Sequence, residues 1–126
     1  MVLISTTALS FAGDYGMETR ARNLVSRYFD ALTEGDTKTV LTLIGGELLL
    51  GRQELLENPE YSNYLIKNYR NSTVSVINSR QVDANLVEVD TSIYKSPDEQ
   101  FELQLLVKSM DETGEHLLIV SEQDAE

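Results

Sequence analysis

From Met17 to Leu32, apolar residues return every three or four positions. Met17, Ala21, Leu24, Val25, Tyr28, Phe29 and Leu32 share one stripe, with Glu18, Arg20, Arg22, Arg27, Asp30 and Glu34 facing away from it. This spacing predicts an amphipathic helix. Gly35 can close it in a left-handed conformation, and Asp36 suits the N-cap of a second, short helix through Val40, Leu41, Leu43 and Ile44, stopped by Gly45-Gly46. Leu48-Leu49-Leu50 is too short for more than a buried strand or an extended link, and Gly51 to Leu56 reads as a helical turn. Asn58-Pro59 opens a further helix to about Asn71, because asparagine caps and proline at the first helical position loses no needed donor. Tyr61, Tyr64, Leu65 and Tyr69 line one side of it.

After Ser72 the period changes from 3.6 to 2. Thr73–Val82, Leu86–Tyr94, Gln100–Ser109 and Glu115–Ser121 alternate like half-buried antiparallel strands. Asp83-Ala84-Asn85, Ser96-Pro97-Asp98 and Asp111-Glu112-Thr113-Gly114 supply the turns. Uninterrupted alternation through those turns puts Val74, Val76, Asn78, Arg80, Val82, Val87, Val89, Thr91 and Ile93 on the face that the helices cover. Phe101, Leu103, Leu105, Val107, His116, Leu118 and Val120 follow them there. The opposite face then carries Ile77, Leu106, Leu117 and Ile119, an apolar patch among polar neighbours that reads as a dimer interface. No acid falls on the inner face of any strand in this register.

Length and charge narrow the classes. At 126 residues the chain is of single-domain size, and 41% apolar with 25% charged residues is a globular composition. With no cysteine and a single histidine, His116, neither a disulfide, a thiolate metal site nor a multi-histidine site can form, and no cofactor is indicated. The formal charge of −11 is the wrong sign for a nucleic-acid binder. It is unevenly placed: residues 1–81 hold 9 acids and 8 bases, and residues 82–126 hold 12 acids and 2 bases. A solvated face explains that acidic third. No run approaches the ~18 apolar residues of a membrane span. Residues 1–16 read as an N-terminal arm or as a residual export signal ending near Ser10-Phe11-Ala12, so the location is cytoplasmic in one reading and exported or periplasmic in the other.

Helix, short helix, apolar link, Gly-Arg-led helix and four-stranded meander form an α+β plan. In Tyr28-Phe29-Asp30-Ala31-Leu32-Thr33-Glu34-Gly35-Asp36 and in Leu48-Leu49-Leu50-Gly51-Arg52-Gln53-Glu54-Leu55 the chain resembles the nuclear transport factor 2-like superfamily, which includes ketosteroid isomerases and polyketide cyclases. The resemblance covers residues 17–122, with 123–126 as a tail. It implies a cystatin-like cone, with helices packed on a curved antiparallel sheet of four or more strands, often dimeric through the sheet's outer face. Catalytic members carry an acid or base inside the cone with a tyrosine or aspartate as oxyanion donor. Because no inward acid is read here, no catalytic residue is carried over.

The leading reading is a non-enzymatic small-molecule-binding or accessory domain acting as a homodimer. Tyr28, Tyr61, Tyr64, Asn78, Thr91 and Phe101 would line a pocket for a small, mostly apolar ligand. The alternatives are an isomerase, cyclase or dehydratase using polar groups in the cone, and an interaction module whose cone is filled. His116, beside the last turn, reads as a surface histidine.

Overall fold

The apolar stripe of the first helix finds its partner in the inner face of the sheet. A computed structural model describes residues 2–111 and 116–124, with side chains from Gly16 onward except those of Leu56, Ser62 and Leu65. Within them lie α1 (Val2–Glu34), α2 (Thr37–Leu43), α3 (Gly46–Leu56) and α4 (Pro59–Tyr69), followed by β1 (Thr73–Asp83), β2 (Leu86–Ser96), β3 (Glu99–Ser109) and β4 (Leu117–Asp124). The strands form one open antiparallel sheet in the order β1-β2-β3-β4. The fold is therefore α+β, with helices packed on one four-stranded sheet. No helix among the described residues is long and apolar enough to cross a membrane.

All seven residues of the predicted α1 stripe are buried. They meet Val87, Val89 and Ile93 of β2 and Leu103, Leu105 and Val107 of β3, each also buried. Full burial of one such side chain is worth roughly 1.5–3 kcal/mol, so this α1–sheet seam is the main apolar core. The helix itself begins at Val2, so the backbone of the predicted arm continues α1. At the other end, β4 runs to Asp124, past the predicted domain boundary at residue 122, and residues 125–126 lie outside the described residues.

The local signals explain the helix ends. Asp36 accepts from the Thr39 amide at 3.2 Å and from its hydroxyl at 2.6 Å, capping α2. That bonding holds the Asp36 carboxyl below its ordinary pKa. Asn58 caps α4, accepting from the Glu60 amide, with Pro59 in its first turn. One assignment fails: Leu48-Leu49-Leu50 is neither strand nor link but the body of α3, and the expected turn at Gly51–Leu56 is its continuation. In place of an added strand, Gly45 donates one bond to the Ile119 carbonyl at 2.9 Å, along the β4 edge.

The sheet departs from uninterrupted alternation at two β-bulges that reach its core-facing residues. In β1 the pairing jumps from Val76↔Thr91 to Asn78↔Asp90, leaving Ile77 over. Ser79 and Gln81 therefore turn inward, whereas Asn78, Arg80 and Val82, expected inside, face out. In β4 the pairing jumps from Leu106↔Ser121 to Val107↔Ile119, leaving Val120 over. The four-residue turn at Asp111–Gly114 also fails, because Met110 N–H donates to the His116 carbonyl, making the connection one residue longer. Residues 112–115, including Glu115, lie outside the described residues. That one residue inverts the start of β4. Leu117 and Ile119 are buried in the core rather than exposed in a dimer patch, while Leu118 and Val120 are only half-buried.

Gly35, at φ +74°, sits where a Cβ would come within 2.5 Å of the Ile66 side chain on α4. Gly35→Ala should therefore destabilise the fold by about 2 kcal/mol or more, combining left-handed strain with overpacking. Thermal or urea unfolding measures it, and a loss under about 0.5 kcal/mol would contradict the geometry.

Candidate functional site

The second bulge has a chemical result. With Ile119 facing inward, strict alternation would send Glu122 outward, three positions on. The extra residue Val120 restores the phase, and Glu122 pairs opposite the buried Leu105 with its side chain only 9% exposed. The inner face thus holds an acid that the expected strand, ending at Ser121, left out.

Glu122 meets two partners from other elements. The Tyr28 hydroxyl, on the buried stripe of α1, donates to Glu122 Oε2 at 2.6 Å. Arg52, on α3, donates from Nη2 to Glu122 Oε1 at 3.1 Å and from Nη1 to the Tyr28 hydroxyl oxygen. Each member of the triad satisfies the other two. That matters for Tyr28, whose side chain is fully buried, because an unbonded hydroxyl there would cost roughly 1–3 kcal/mol. Burial first, and the Glu122 charge second, push the Tyr28 phenol well above its ordinary pKa, so it stays a donor at any physiological pH. Burial works against the Arg52 charge, yet the adjoining Tyr28 and Glu122 raise its pKa above the ordinary value.

An aromatic wall continues from the triad. Tyr69, half-buried on α4, has its phenol pushed up to about 12 by burial and by Glu122, and Tyr61 lies near enough to act on both Arg52 and Tyr69. The Phe29 ring packs between them in sequence of contact, 5.2 Å from Tyr28 and 6.1 Å from Tyr69 between centroids. Lys95 Nζ stands 5.6 Å from the Tyr69 ring centre and 5.5 Å from that of Phe101, so one ammonium serves two rings. Phe29 aside, the polar and aromatic groups come from α1, α3, α4, β2, β3 and β4 together. Arg52, 21% exposed, is the triad's opening to solvent; the bonds described use two of its five N–H groups.

The expected pocket residues divide accordingly. Tyr28, Tyr61 and Phe101 belong to this cluster. Thr91 is inward and buried as expected, but its hydroxyl is committed to the Leu103 carbonyl at 3.1 Å. Tyr64 is 57% exposed, stacked on Tyr61 on the solvent side of α4, and Asn78 faces outward beside the β1 bulge. The Leu65 side chain lies outside the described residues. Of the expected dimer patch only Ile77 and Leu106 face outward. A polar ladder runs across that face: Arg80 pairs with Glu88 and, at 3.7 Å, with Asp90, Gln104 donates to Asp90, and Gln123 donates to Gln104. The patch is thus divided, because two of its four members are core.

Sequence reading missed Arg52 and Glu122 as site residues. Glu122 lay one residue beyond the predicted end of its strand, and Arg52 acquires its role from a partner 70 positions away. Among the described residues no group of three or more potential metal ligands gathers.

Two measurements follow. Glu122→Gln should cost roughly 2 kcal/mol of stability, below the 3–5 kcal/mol of a fully buried pair because Arg52 is partly solvated; the Arg52→Met, Glu122→Gln double-mutant cycle should return a coupling above about 1 kcal/mol. Additive losses would remove the triad. For Tyr69 the folded pKa near 12 exceeds the ordinary 10.0, so its contribution is complete below pH 10 and is lost as pH rises towards 12. Tyr69→Phe should flatten the decline in stability over that window, seen by denaturant melts at pH 9, 10 and 11.

No protein-family model matches the chain, and neither curated proteins nor solved structures return a match to it.

Proposed function

We propose that this is a small-molecule-binding domain with a nuclear transport factor 2-like, cystatin-like cone. In this reading the Arg52–Glu122–Tyr28 triad holds the polar end of a small, mostly apolar ligand. The observation that carries it is the partly solvated Arg52 guanidinium, anchored from behind by a buried phenol and a nearly buried carboxylate. A ligand oxygen reaching Arg52 meets a preorganised donor, which lowers the ordering cost of binding. Tyr61, Tyr69 and Phe101 supply flat apolar contact for the rest of the ligand, in keeping with sites that are mainly aromatic with few fixed polar groups. The bulges at Ile77 and Val120 support the curved sheet that a cone requires, since each bends its strand and increases local twist.

One observation favours an enzyme as the second reading: an inward acid beside a phenol that stays protonated is the pairing used to move a proton and steady an oxyanion. Against it, both Glu122 oxygens are occupied, Oε2 by Tyr28 and Oε1 by Arg52. A substrate proton would have to enter where Arg52 sits. Binding without turnover therefore ranks first. A homodimer through the outer sheet face would have to use Ile77, Leu106 and the 43% exposed Tyr94 across the polar ladder.

Native mass spectrometry of freshly purified chain tests ligand and assembly together. A small species that is released on denaturation, absent from Arg52→Met and retained by His116→Ala, is the expected result. A species retained by Arg52→Met, or a chain that carries none and takes up none from an apolar carboxylate and alcohol panel, would overturn the reading.

A further inference from the structure

A second concavity, of about 370 Å³, opens where α1, α2 and the start of β4 meet. None of the triad lines it. Its floor is Leu24, Leu43 and Leu117, all buried. Its walls carry Arg20, Asn23 and Arg27 from α1 and His116 from the residue before β4, all exposed.

The spacing on α1 is one helical stripe: positions 20, 23, 24 and 27 lie within two turns, and the backbone positions of the two arginines are about 10 Å apart along the axis. His116 is delivered by the chain reversal that Met110 N–H closes on its carbonyl. The gathering runs against the overall charge. In a chain of net −11, with 10 Lys and Arg in all, two arginines and the sole histidine line one concavity, and no carboxylate appears among its described lining residues. Among the described residues the Arg27 and His116 side chains have no hydrogen-bond or ion-pair partner.

We propose that this groove is a second binding site, for a small organic anion. Its carboxylate or phosphate would lie between Arg20 and Arg27, with His116 and Asn23 as further hydrogen-bonding groups, and its short apolar body on the three leucines. Arginine suits this task because its planar fork matches either oxyanion in a bidentate manner. The volume is at the small end of ligand sites.

The test is amide-resolved NMR on the full ¹⁵N-labelled chain, titrated separately with phenyl phosphate, benzoate and uncharged benzyl alcohol. Saturable shifts at residues 20–27, 42–43 and 116–118 with either anion, and not with the alcohol, are expected. Tighter phenyl phosphate binding would assign a phosphate source, and tighter benzoate binding a carboxylate source. Arg27→Gln should weaken the anion by about tenfold, the scale of one lost charge-assisted contact, and His116→Gln should weaken it less. Arg52→Gln, which disables the triad, should leave these shifts intact. The proposal is overturned by equal response to benzyl alcohol, by absence of saturable shifts, or by shifts that survive Arg27→Gln and vanish in Arg52→Gln.

Discussion

A phenol hydroxyl fully removed from water must be bonded, and among the described residues the partners of Tyr28 come from α3 and β4. Arg52 and Glu122 each answer the other's desolvation as well as that of Tyr28, so the triad ties three elements that are far apart in sequence. This requirement fixes the register of β4. A slip of one residue would expose Ile119 and withdraw Glu122 together, giving up apolar burial and leaving a guanidinium and a phenol without their acceptor. Core packing and polar satisfaction thus enforce the same strand position.

Much of the fold was legible where the physical signal is local. The α1 stripe, the Asp36 and Asn58 caps, the Gly35 closure and the β2–β3 register from Leu86 to Tyr94 all follow from local signals and appear as expected, although the turn is shorter than Ser96–Asp98, since Ser96 pairs with Glu99 after a shift. The misreadings begin where the decisive contact is distant. Leu48-Leu49-Leu50 shows no helical period because α3 buries little: Leu48 and Leu49 are half-buried and Leu50 is 77% exposed. A bulge leaves no mark in a hydrophobic alternation, since Ile77 and Val120 are ordinary strand residues. Extending alternation through Ile77 misplaced Asn78 and Arg80, and a β3–β4 connection one residue longer than expected misplaced Leu117 and Ile119. Tyr28 was visible as a core phenol, but its partners were not, because a hydrogen bond across 94 positions has no sequence signature.

The charge distribution gains meaning from the layers. The acidic third of the chain is mostly β-sheet, and alternation sends Glu88, Asp90 and Glu102 to the uncovered side, where Arg80 and the glutamines meet some of them. Among the described residues, the inner side keeps a single strand carboxylate within hydrogen-bond reach of a cation. One strand pattern therefore yields a wet acidic exterior and an interior in which Glu122 is the carboxylate that a cation holds.

The β1 bulge also bears on what the chain does in company. An open sheet has two edges, and each free edge offers unpaired backbone groups to any neighbouring strand. On the β4 side, the Gly45 amide occupies the Ile119 carbonyl and the start of α3 lies across that edge. On the β1 side, shifts at Ile77 and Val82 break the outer row of donors and acceptors into short, differently aimed segments. A second copy that tried to lengthen the sheet there would meet two four-residue runs, Thr73–Val76 and Asn78–Gln81, rather than one eleven-residue edge. The same irregularity that turns Asn78 away from the interior works against edge-to-edge polymerisation on the β1 side.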